Sequence, residues 1–156
     1  YDANLDAYEA KKSQKFLNEQ YSIFGTLNGH SEHSVTIMHL DVDDLTSKRK
    51  QKMSPYDTSS LMFKIYSRMS EYFLSKNSLT FFMGGDNFMV VTNSEFKNFA
   101  KDFIKISKDE FEIELNCGIG TAQTSRDAVK LATKSLDTIR EIRDSGKEKP
   151  EIYELN

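Results

Sequence analysis

A tight-turn sequence between two short apolar runs is the feature that most constrains the fold. Leu79–Met83 and Phe88–Thr92 are rich in aromatic and branched side chains, and Gly84-Gly85-Asp86-Asn87 separates them. Turn-forming residues between two such runs predict a β-hairpin. Because an isolated hairpin is marginally stable at best, the chain must supply further strands or helices that cover it.

The rest of the chain alternates between patterns typical of strands and of helices. A helix start is predicted at Ser54, which suits the N-cap, with Pro55 at the first helical position and an acid, Asp57, three residues after the cap. Further strands are predicted at Val35–Leu40, Phe111–Cys117 and Ile152–Tyr153, and further helices at Phe96–Ile106 and Ser125–Arg143.

This order, β-α-β-β-α-β-α-β from residue 35, predicts an α+β fold. Its first six elements form the ferredoxin-like arrangement, an antiparallel sheet with helices on one face, followed here by a C-terminal helix and an edge strand. Residues 35–156 therefore form one predicted domain. Residues 2–20 have helical spacing and residues 25–34 are rich in turn formers, so residues 1–34 are predicted as an N-terminal helix and linker.

Composition argues against several classes of protein. The net charge of −3 gives no field that attracts a nucleic-acid duplex or an anionic membrane, and no apolar run approaches the ~20 residues of a membrane span. One cysteine, Cys117, and three histidines are too few for a typical Cys/His zinc site, so no zinc is expected. The expected metal is Mg²⁺ or Mn²⁺ with oxygen ligands, and the expected compartment is the cytoplasm.

The first predicted strand ends in acidic residues that the topology brings to the hairpin turn. In a ferredoxin-like sheet this strand lies beside the hairpin, so Asp41 and Asp86 are expected to meet at one edge. With the Val42 carbonyl they form an oxygen site for one or two Mg²⁺ ions shared with substrate phosphates. The pattern alone is equally consistent with an ordinary hairpin turn and a strand-end cap. The apolar runs around the turn favour the metal site, because a functional carboxylate needs rigid support.

Four ordered segments resemble a known family. Residues 83–89 (MGGDNFM) are similar to the signature hairpin of GGDEF-like nucleotidyl cyclase palm domains, and their DNFM ending resembles archaeal GTP cyclohydrolase III. The other segments are His39-Leu40-Asp41 leading to Leu45-Thr46, Tyr56-Asp57-Thr58, and residues 117–120 continuing through residues 127–140. The resemblance spans residues 35–143 and implies a ferredoxin-like palm.

The resemblance also implies a reaction and a partner domain. Members of that family fuse two palms and open the imidazole ring of GTP with Mg²⁺, giving a formamidopyrimidine ribonucleotide and losing the outer phosphates. This chain resembles the second palm. A short match of residues 1–7 to residues 126–132 indicates that residues 1–20 end a preceding palm copy, but a chance match between two alanine-containing helices explains it equally well. A fused second palm or self-association is therefore expected.

Further residues are candidates for binding the phosphates of the nucleotide. A loop after the first strand offers amides and a hydroxyl group to an anion. Cations on the helices could add charge, although helical Lys and Arg are usually just solvated. The candidates are Asp44, Leu45 and Thr46 in the loop and Lys64, Lys130 and Arg140 on the helices.

Other candidates would recognise the base. Tyr56 and Asp57 lie at a helix start that faces the predicted pocket, and a carboxylate there could accept hydrogen bonds from guanine N1 and N2, which favours GTP over ATP. Capping the helix is the alternative role of Asp57. Gly84 and Gly85 give the turn its backbone freedom and let substrate approach. Asn87 would orient base or water, or tolerate left-handed turn geometry.

Several residues have mainly structural interpretations. Cys117 and His39 lie on predicted strands and are assigned to the core. Gly118 and Gly120 are predicted to bend a strand near the ligand, with a β-bulge as the alternative. Asp43 is at least as consistent with a solvated loop as with metal binding. The basic run at residues 48–52 is interpreted mainly as a solvated loop, with a polyphosphate or partner contact as the alternative.

Two departures from the wider family keep other functions open. Asn87 replaces the second acid of diguanylate cyclases, and Leu45-Thr46 replaces their Phe-Lys, so synthesis of cyclic dinucleotides is less supported. The alternatives are a palm-type cyclase or oligonucleotide synthase that makes a nucleotide second messenger, and a non-catalytic nucleotide-binding module.

Overall fold

The computed structural model describes residues 34–43, 53–92 and 96–156. The strands are β1 (Val35–Asp43), β2 (Leu79–Gly84), β3 (Asn87–Thr92), β4 (Glu114–Ala122) and β5 (Ile152–Leu155), and the helices are α1 (Pro55–Leu74), α2 (Phe96–Phe111) and α3 (Ser125–Asp144). The predicted order of elements is confirmed. No helix within these ranges is long and apolar enough to cross a membrane. The helix and linker predicted before Ser34 lie outside the described residues.

The five strands form one sheet in the order β2-β3-β1-β4-β5. β1 is antiparallel to both of its neighbours, β3 and β4. β5, at the far edge, pairs parallel to β4. The predicted antiparallel sheet is therefore correct for the first four strands and wrong for the last. β1 occupies the centre because its apolar run suits a strand buried on both sides.

The helices lie on both faces of the sheet. Alternate β1 residues, such as Met38 and Leu40, share a core with α1 and α2. The residue between Thr36 and Met38, Ile37, faces the other way and packs with Ala128 and Ala132 of α3. The prediction that the helices cover one face is correct for the six-element core. It is wrong for α3, which covers the opposite face.

The start of α1 matches its sequence signal. The Ser54 side chain accepts a hydrogen bond from the Asp57 backbone N–H, and the Asp57 carboxylate accepts one from the Ser54 backbone N–H at 3.1 Å. Pro55 follows the cap directly. This reciprocal arrangement satisfies two N–H groups that the helix itself cannot.

The glycines of β4 have a role that the sequence did not indicate. β4 begins at Glu114, after α2 ends at Phe111 and Glu112 adopts a positive φ of 54°, and it continues without a bulge through both glycines. A Cβ atom at Gly118 or Gly120 would lie 2.3 Å from a backbone oxygen of α3. The alternative of a β-bulge is therefore wrong, and these glycines let α3 pack directly on the strand.

The hairpin is supported mainly from one side. Phe88 and Val90 of β3 are fully buried, whereas Phe81 and Met83 of β2 are 47% and 55% exposed. β2 is an edge strand, so its outward residues have no covering layer among the described elements. The sequence interpretation of two buried strands around the turn holds for β3 and is wrong for β2.

We expect Gly120→Ala to destabilise the protein by about 3 kcal/mol, at the upper end of ordinary overpacking costs. The added methyl group would meet backbone atoms of α3, 2.3 Å away at the Ala128 oxygen, and backbone cannot move aside as a side chain can. Urea unfolding of the two proteins measures the difference.

Gly146→Ala is the matched control for this experiment. Gly146 has a φ of +75° and open space around the missing Cβ, so the substitution adds conformational strain without a clash. Its expected cost is about 1 kcal/mol. Equal losses in the two variants would show that close packing on β4 does not limit stability.

Candidate functional site

The end of β1 and the hairpin turn meet at one edge of the sheet. Asp41 pairs with Asn87 in the β1–β3 register. The Val42 backbone N–H donates to the Asp86 carbonyl at 3.2 Å. The structure thus brings Asp41, Val42 and Asp86 together, although they are distant in sequence.

Asp41 is buried and paired with an arginine. Its side chain is 8% exposed and faces α3, where Arg140 Nη2 donates to Oδ2 at 2.7 Å and Arg140 Nε at 3.1 Å. The remaining guanidinium nitrogen, Nη1, donates to Asp137 at 3.1 Å. Within the described part of the chain, Asp41 Oδ1 is buried and has no hydrogen-bond partner.

Asp43 is also paired with cations. The alternative that it is a solvated loop acid is therefore wrong. It is the last residue of β1 and its side chain is 7% exposed, with Lys149 Nζ 2.6 Å from Oδ2 and Arg143 Nη1 3.4 Å from Oδ1. Burial alone would raise the pKa of Asp43, but the hydrogen bond and charge of Lys149 outweigh it and lower the pKa below its usual value.

A chain of hydrogen bonds links α3 to the hairpin acid. His39 Nδ1 lies 3.2 Å from Thr133 Oγ1, and its Nε2 lies 3.1 Å from Asn87 Oδ1. Asn87 Nδ2 in turn donates to Asp86 Oδ1 at 2.8 Å. Burial lowers the pKa of His39, against the hydrogen bond to Asn87, which raises it. His39 is therefore a bonded imidazole at the site and not simply a core residue.

The glycines supply the left-handed backbone of the turn. Gly84 and Gly85 have φ values of +98° and +62°, and a Cβ at either position would meet nothing within 4 Å. Their requirement is therefore conformational, as predicted for a turn. Asn87 begins β3 without a positive φ, so the alternative that it tolerates left-handed geometry is wrong.

Two shallow grooves lie along α1, and the first of them also borders the hairpin. The first, about 480 Å³, is lined by Gly85 and Asp86 together with Thr58, Ser59, Met62, Phe63 and Phe82. The second, about 420 Å³, shares Ser59 and Phe63 and adds Tyr56 and Lys64. Tyr56 and Lys64 therefore lie on the face of the sheet opposite α3, in a groove lined by α1 residues and not by the turn.

Asp57 acts as the helix cap. Its Oδ2 accepts hydrogen bonds from Ser54 Oγ at 2.6 Å and from the Ser54 backbone N–H at 3.1 Å. The Ser54 hydroxyl group, followed by its backbone N–H, holds the pKa of Asp57 below its usual value. Its neighbours Tyr56 and Thr58 line the grooves, whereas Asp57 itself is directed to Ser54 and lines neither.

Other candidates are not brought to this edge. Lys130 is exposed and pairs with Asp127 at 3.6 Å, ten positions before Arg140, which is about 15 Å along the helix. Asp44, Leu45 and Thr46 lie outside the described residues, as does the basic run at residues 48–52.

The donor set at the strand end fits a hard cation such as Mg²⁺ or Mn²⁺. Asp41 Oδ1 is a buried carboxylate oxygen with no partner among the described residues, which is costly unless something binds it. The Asp86 backbone carbonyl accepts the Val42 N–H, so the hairpin turn adjoins the end of β1, and Asp86 also lines the groove on the α1 side. Within the described ranges no three His, Cys, Asp or Glu side chains are grouped to hold a metal, which is consistent with a cation that also uses substrate oxygens.

Sequence reasoning undervalued four residues of this region. His39 and Thr133 were treated as core or not singled out, and the two cations that hold Asp43 were missed. The sequence does contain one indication of Thr133. Thr133 and Arg140 are seven positions apart and so lie on the same face of α3, and two polar residues on one face are unusual where a helix packs on a sheet. Nothing local marks Lys149, which lies after the helix in a connecting segment.

Comparison with known proteins identifies similar sequences. A family model described as GTP cyclohydrolase III matches residues 1–151. GTP cyclohydrolase III of Methanocaldococcus jannaschii is 40% identical over 108 residues, covering 68% of this chain and 40% of that protein. The enzyme of the same name from Methanothermobacter thermautotrophicus is 30% identical over 145 residues, covering 90% and 57%. The chain spans about half the length of the curated relatives that it matches.

Solved structures show the same fold at low identity. The GGDEF domain of PA1120 from Pseudomonas aeruginosa is 17% identical with a TM-score of 0.60, covering 92% of this chain and 96% of that one. The catalytic core of a rhodopsin-guanylyl cyclase in complex with ATPαS is 21% identical with a TM-score of 0.55, covering 68% and 72%. The predicted palm fold is confirmed.

We expect Arg140→Ala to lower stability by about 2 kcal/mol, because it leaves the buried Asp41 carboxylate without a donor. Adding Asp41→Asn should recover part of this loss, since the uncompensated charge is then removed. A double-mutant cycle measured by urea unfolding gives the coupling.

Lys130→Ala is the control on the same helix. Its exposed pair with Asp127 should contribute less than about 0.5 kcal/mol. If the Arg140 and Asp41 substitutions prove additive, the ion pair carries no net coupling and the account of the buried charge is wrong.

Proposed function

Since the chain belongs to the GTP cyclohydrolase III family, we propose that it takes part in opening the imidazole ring of GTP. The product would be a formamidopyrimidine ribonucleotide, with the outer phosphates lost. The observation that carries this proposal is the buried Asp41 oxygen beside the Gly-Gly-Asp-Asn turn, which has no partner among the described residues, in a chain whose family acts on GTP.

The acidic pair would hold the cation of a bound nucleoside triphosphate. Asp41 Oδ1, the Val42 carbonyl and the Asp86 carboxylate are the ligands that we assign to Mg²⁺ or Mn²⁺, with two ions proposed. Bound there, the metal would neutralise phosphate charge and lower the pKa of a bound water. That chemistry suits addition of water at guanine C8 followed by cleavage of a ring C–N bond.

The remaining residues would orient the nucleotide. Arg140 neutralises Asp41 in the protein without nucleotide, and the same guanidinium group would bind a phosphate once the triphosphate supplies the negative charge. On the α1 side, the exposed ring of Phe63 gives an apolar wall shared by both grooves, which suits a purine base. Lys64 lines the second groove together with Tyr56.

A second palm would complete the active unit. The chain spans about half the length of its relatives, and the edge strand β2 leaves Phe81 and Met83 exposed. We propose that a fused palm or a second copy of the chain pairs with this one. Turnover per chain that rises with protein concentration would support the second copy.

Analysis of products by mass spectrometry after incubation with GTP and Mg²⁺ tests the reaction itself. The proposed reaction adds one water to the base as the ring opens, and further water hydrolyses the phosphoanhydride bonds to release the outer phosphates. Release of pyrophosphate with a new phosphodiester bond would instead identify a cyclase or synthase, which the shared palm fold allows. Binding without any product would identify a nucleotide-binding module.

We expect Asp86→Asn to reduce turnover by about 100-fold or more, because the neutral amide is a poor ligand for Mg²⁺ and offsets none of its charge. Asp109→Asn, on the exposed end of α2, is the charge-matched control and should leave turnover unchanged. An Asp86→Asn protein with normal turnover would remove this carboxylate from the site.

We expect Asp57→Asn to reduce the preference for GTP over ATP by about 10-fold, because an amide cannot accept hydrogen bonds from guanine N1 and N2 in the same way. The amide oxygen of asparagine can still accept the hydrogen bond from the Ser54 backbone N–H, so folding should be retained. The affinities for the two nucleotides, measured by titration calorimetry, give the preference. An unchanged preference would assign Asp57 to the cap alone.

A further inference from the structure

His39 has both ring nitrogens engaged. It is 9% exposed, on the face of β1 that α3 covers, with Thr133 on one side and Asn87 on the other. An imidazole bonded at both nitrogens cannot reach a substrate without breaking a contact. Its effect on the site must therefore pass through Asn87.

The hydrogen-bond partners determine which atom carries the proton at each step from Thr133 to Asp86. The Asp86 carboxylate can only accept, so the Asn87 group that faces it at 2.8 Å must be the amide nitrogen. Asn87 Oδ1 then faces His39, and His39 Nε2 must carry the proton that it donates. In the neutral ring, Nδ1 accepts from the Thr133 hydroxyl group. Each donor thus fixes the next acceptor.

The last bond of the chain fixes Asp86. Asn87 Nδ2 occupies Oδ1 of the carboxylate, which leaves Oδ2 as the oxygen for a ligand. The Val42 N–H holds the backbone carbonyl of Asp86, but the side chain is only half-buried, so a bonded partner is needed to fix the orientation of the carboxylate. The amide is the one side-chain contact that the described residues give this carboxylate.

We propose that His39 is a positioning residue that, through the Asn87 amide, holds the Asp86 carboxylate in the orientation that binds the cation of a nucleoside triphosphate. This inference rests on the proposed function. A ligand held by a bonded partner binds a metal more tightly, and loss of such a partner typically weakens metal affinity about 10- to 100-fold.

The test measures the cation-dependent part of nucleotide affinity. Calorimetric titration with β,γ-imido GTP is done once with Mn²⁺ and once in EDTA. His39→Leu should weaken binding with Mn²⁺ by about 10-fold and leave binding in EDTA unchanged. His39→Gln, whose amide nitrogen can replace Nε2, should recover affinity to within about threefold of wild type. A loss that only reflects altered folding would appear in both titrations.

Ile37→Val is the matched control. Ile37 lies on the same face of β1 and packs under α3. Its side chain is apolar and takes no part in the hydrogen bonds that connect His39 to Asp86. The substitution removes buried volume at the same interface and should leave both affinities unchanged. If His39→Leu binds the Mn²⁺ complex as well as Ile37→Val does, the proposal is overturned.

Thr133→Val keeps the proposal testable if His39→Leu does not fold. It removes only the hydroxyl group at the far end of the chain and should weaken binding with Mn²⁺ by about threefold. Unchanged affinity in this variant would also overturn the proposal. A wild-type chain that binds the nucleotide in neither condition would overturn the proposed function and this inference together, whereas normal wild-type binding with unaffected variants overturns the inference alone.

The Asn87 side-chain amide gives a readout without any ligand. Its two ¹⁵N-bound protons should be distinct and slow to exchange in the wild type, because one donates to Asp86. In His39→Leu they should shift and exchange faster. Unchanged amide signals would contradict the role assigned to His39, whatever the nucleotide titrations show.

Discussion

The close contact between α3 and β4 is the constraint on which the site depends. A Cβ atom added at Gly118 or Gly120 would lie only 2.3 Å from a backbone carbonyl oxygen of the helix. That approach also brings α3 over the neighbouring strand β1, where Thr133 reaches His39 and Arg140 reaches Asp41. A larger residue at either glycine would move the helix outward and lengthen both contacts.

β1 can serve the core and the site at once because its side chains alternate. Met38, Leu40 and Val42 point to α1 and α2 and share the main apolar core. The residues between and after them, His39, Asp41 and Asp43, point to α3, where each finds a polar partner. Buried polar groups are tolerated when they are bonded, so a strand at the centre of the sheet can carry an acidic edge.

The features that could be predicted from the sequence are those set by interactions between neighbouring residues. The cap at Ser54, the glycine turn and the order of elements depend on neighbouring residues, and all of these are found. The face covered by α3 could not be predicted, because an amphipathic helix does not show which side of a sheet it will cover. The partners of Asp43 come from residues about one hundred positions away, which a linear pattern does not encode. The role of Gly118 and Gly120 could not be predicted, because a glycine in a strand shows that a side chain is absent but not which element packs in its place.

The two carboxylates are held in different ways, and the difference suits a shared cation. Asp41 is buried, with one oxygen bonded to Arg140 and one left without a partner among the described residues. Asp86 is half-buried, with one oxygen bonded to the neutral Asn87 amide. Arg140 offsets the charge of Asp41, whereas the described residues pair no cation with Asp86. Under the proposed function, a divalent cation bound with its triphosphate would supply positive charge at this edge of the sheet.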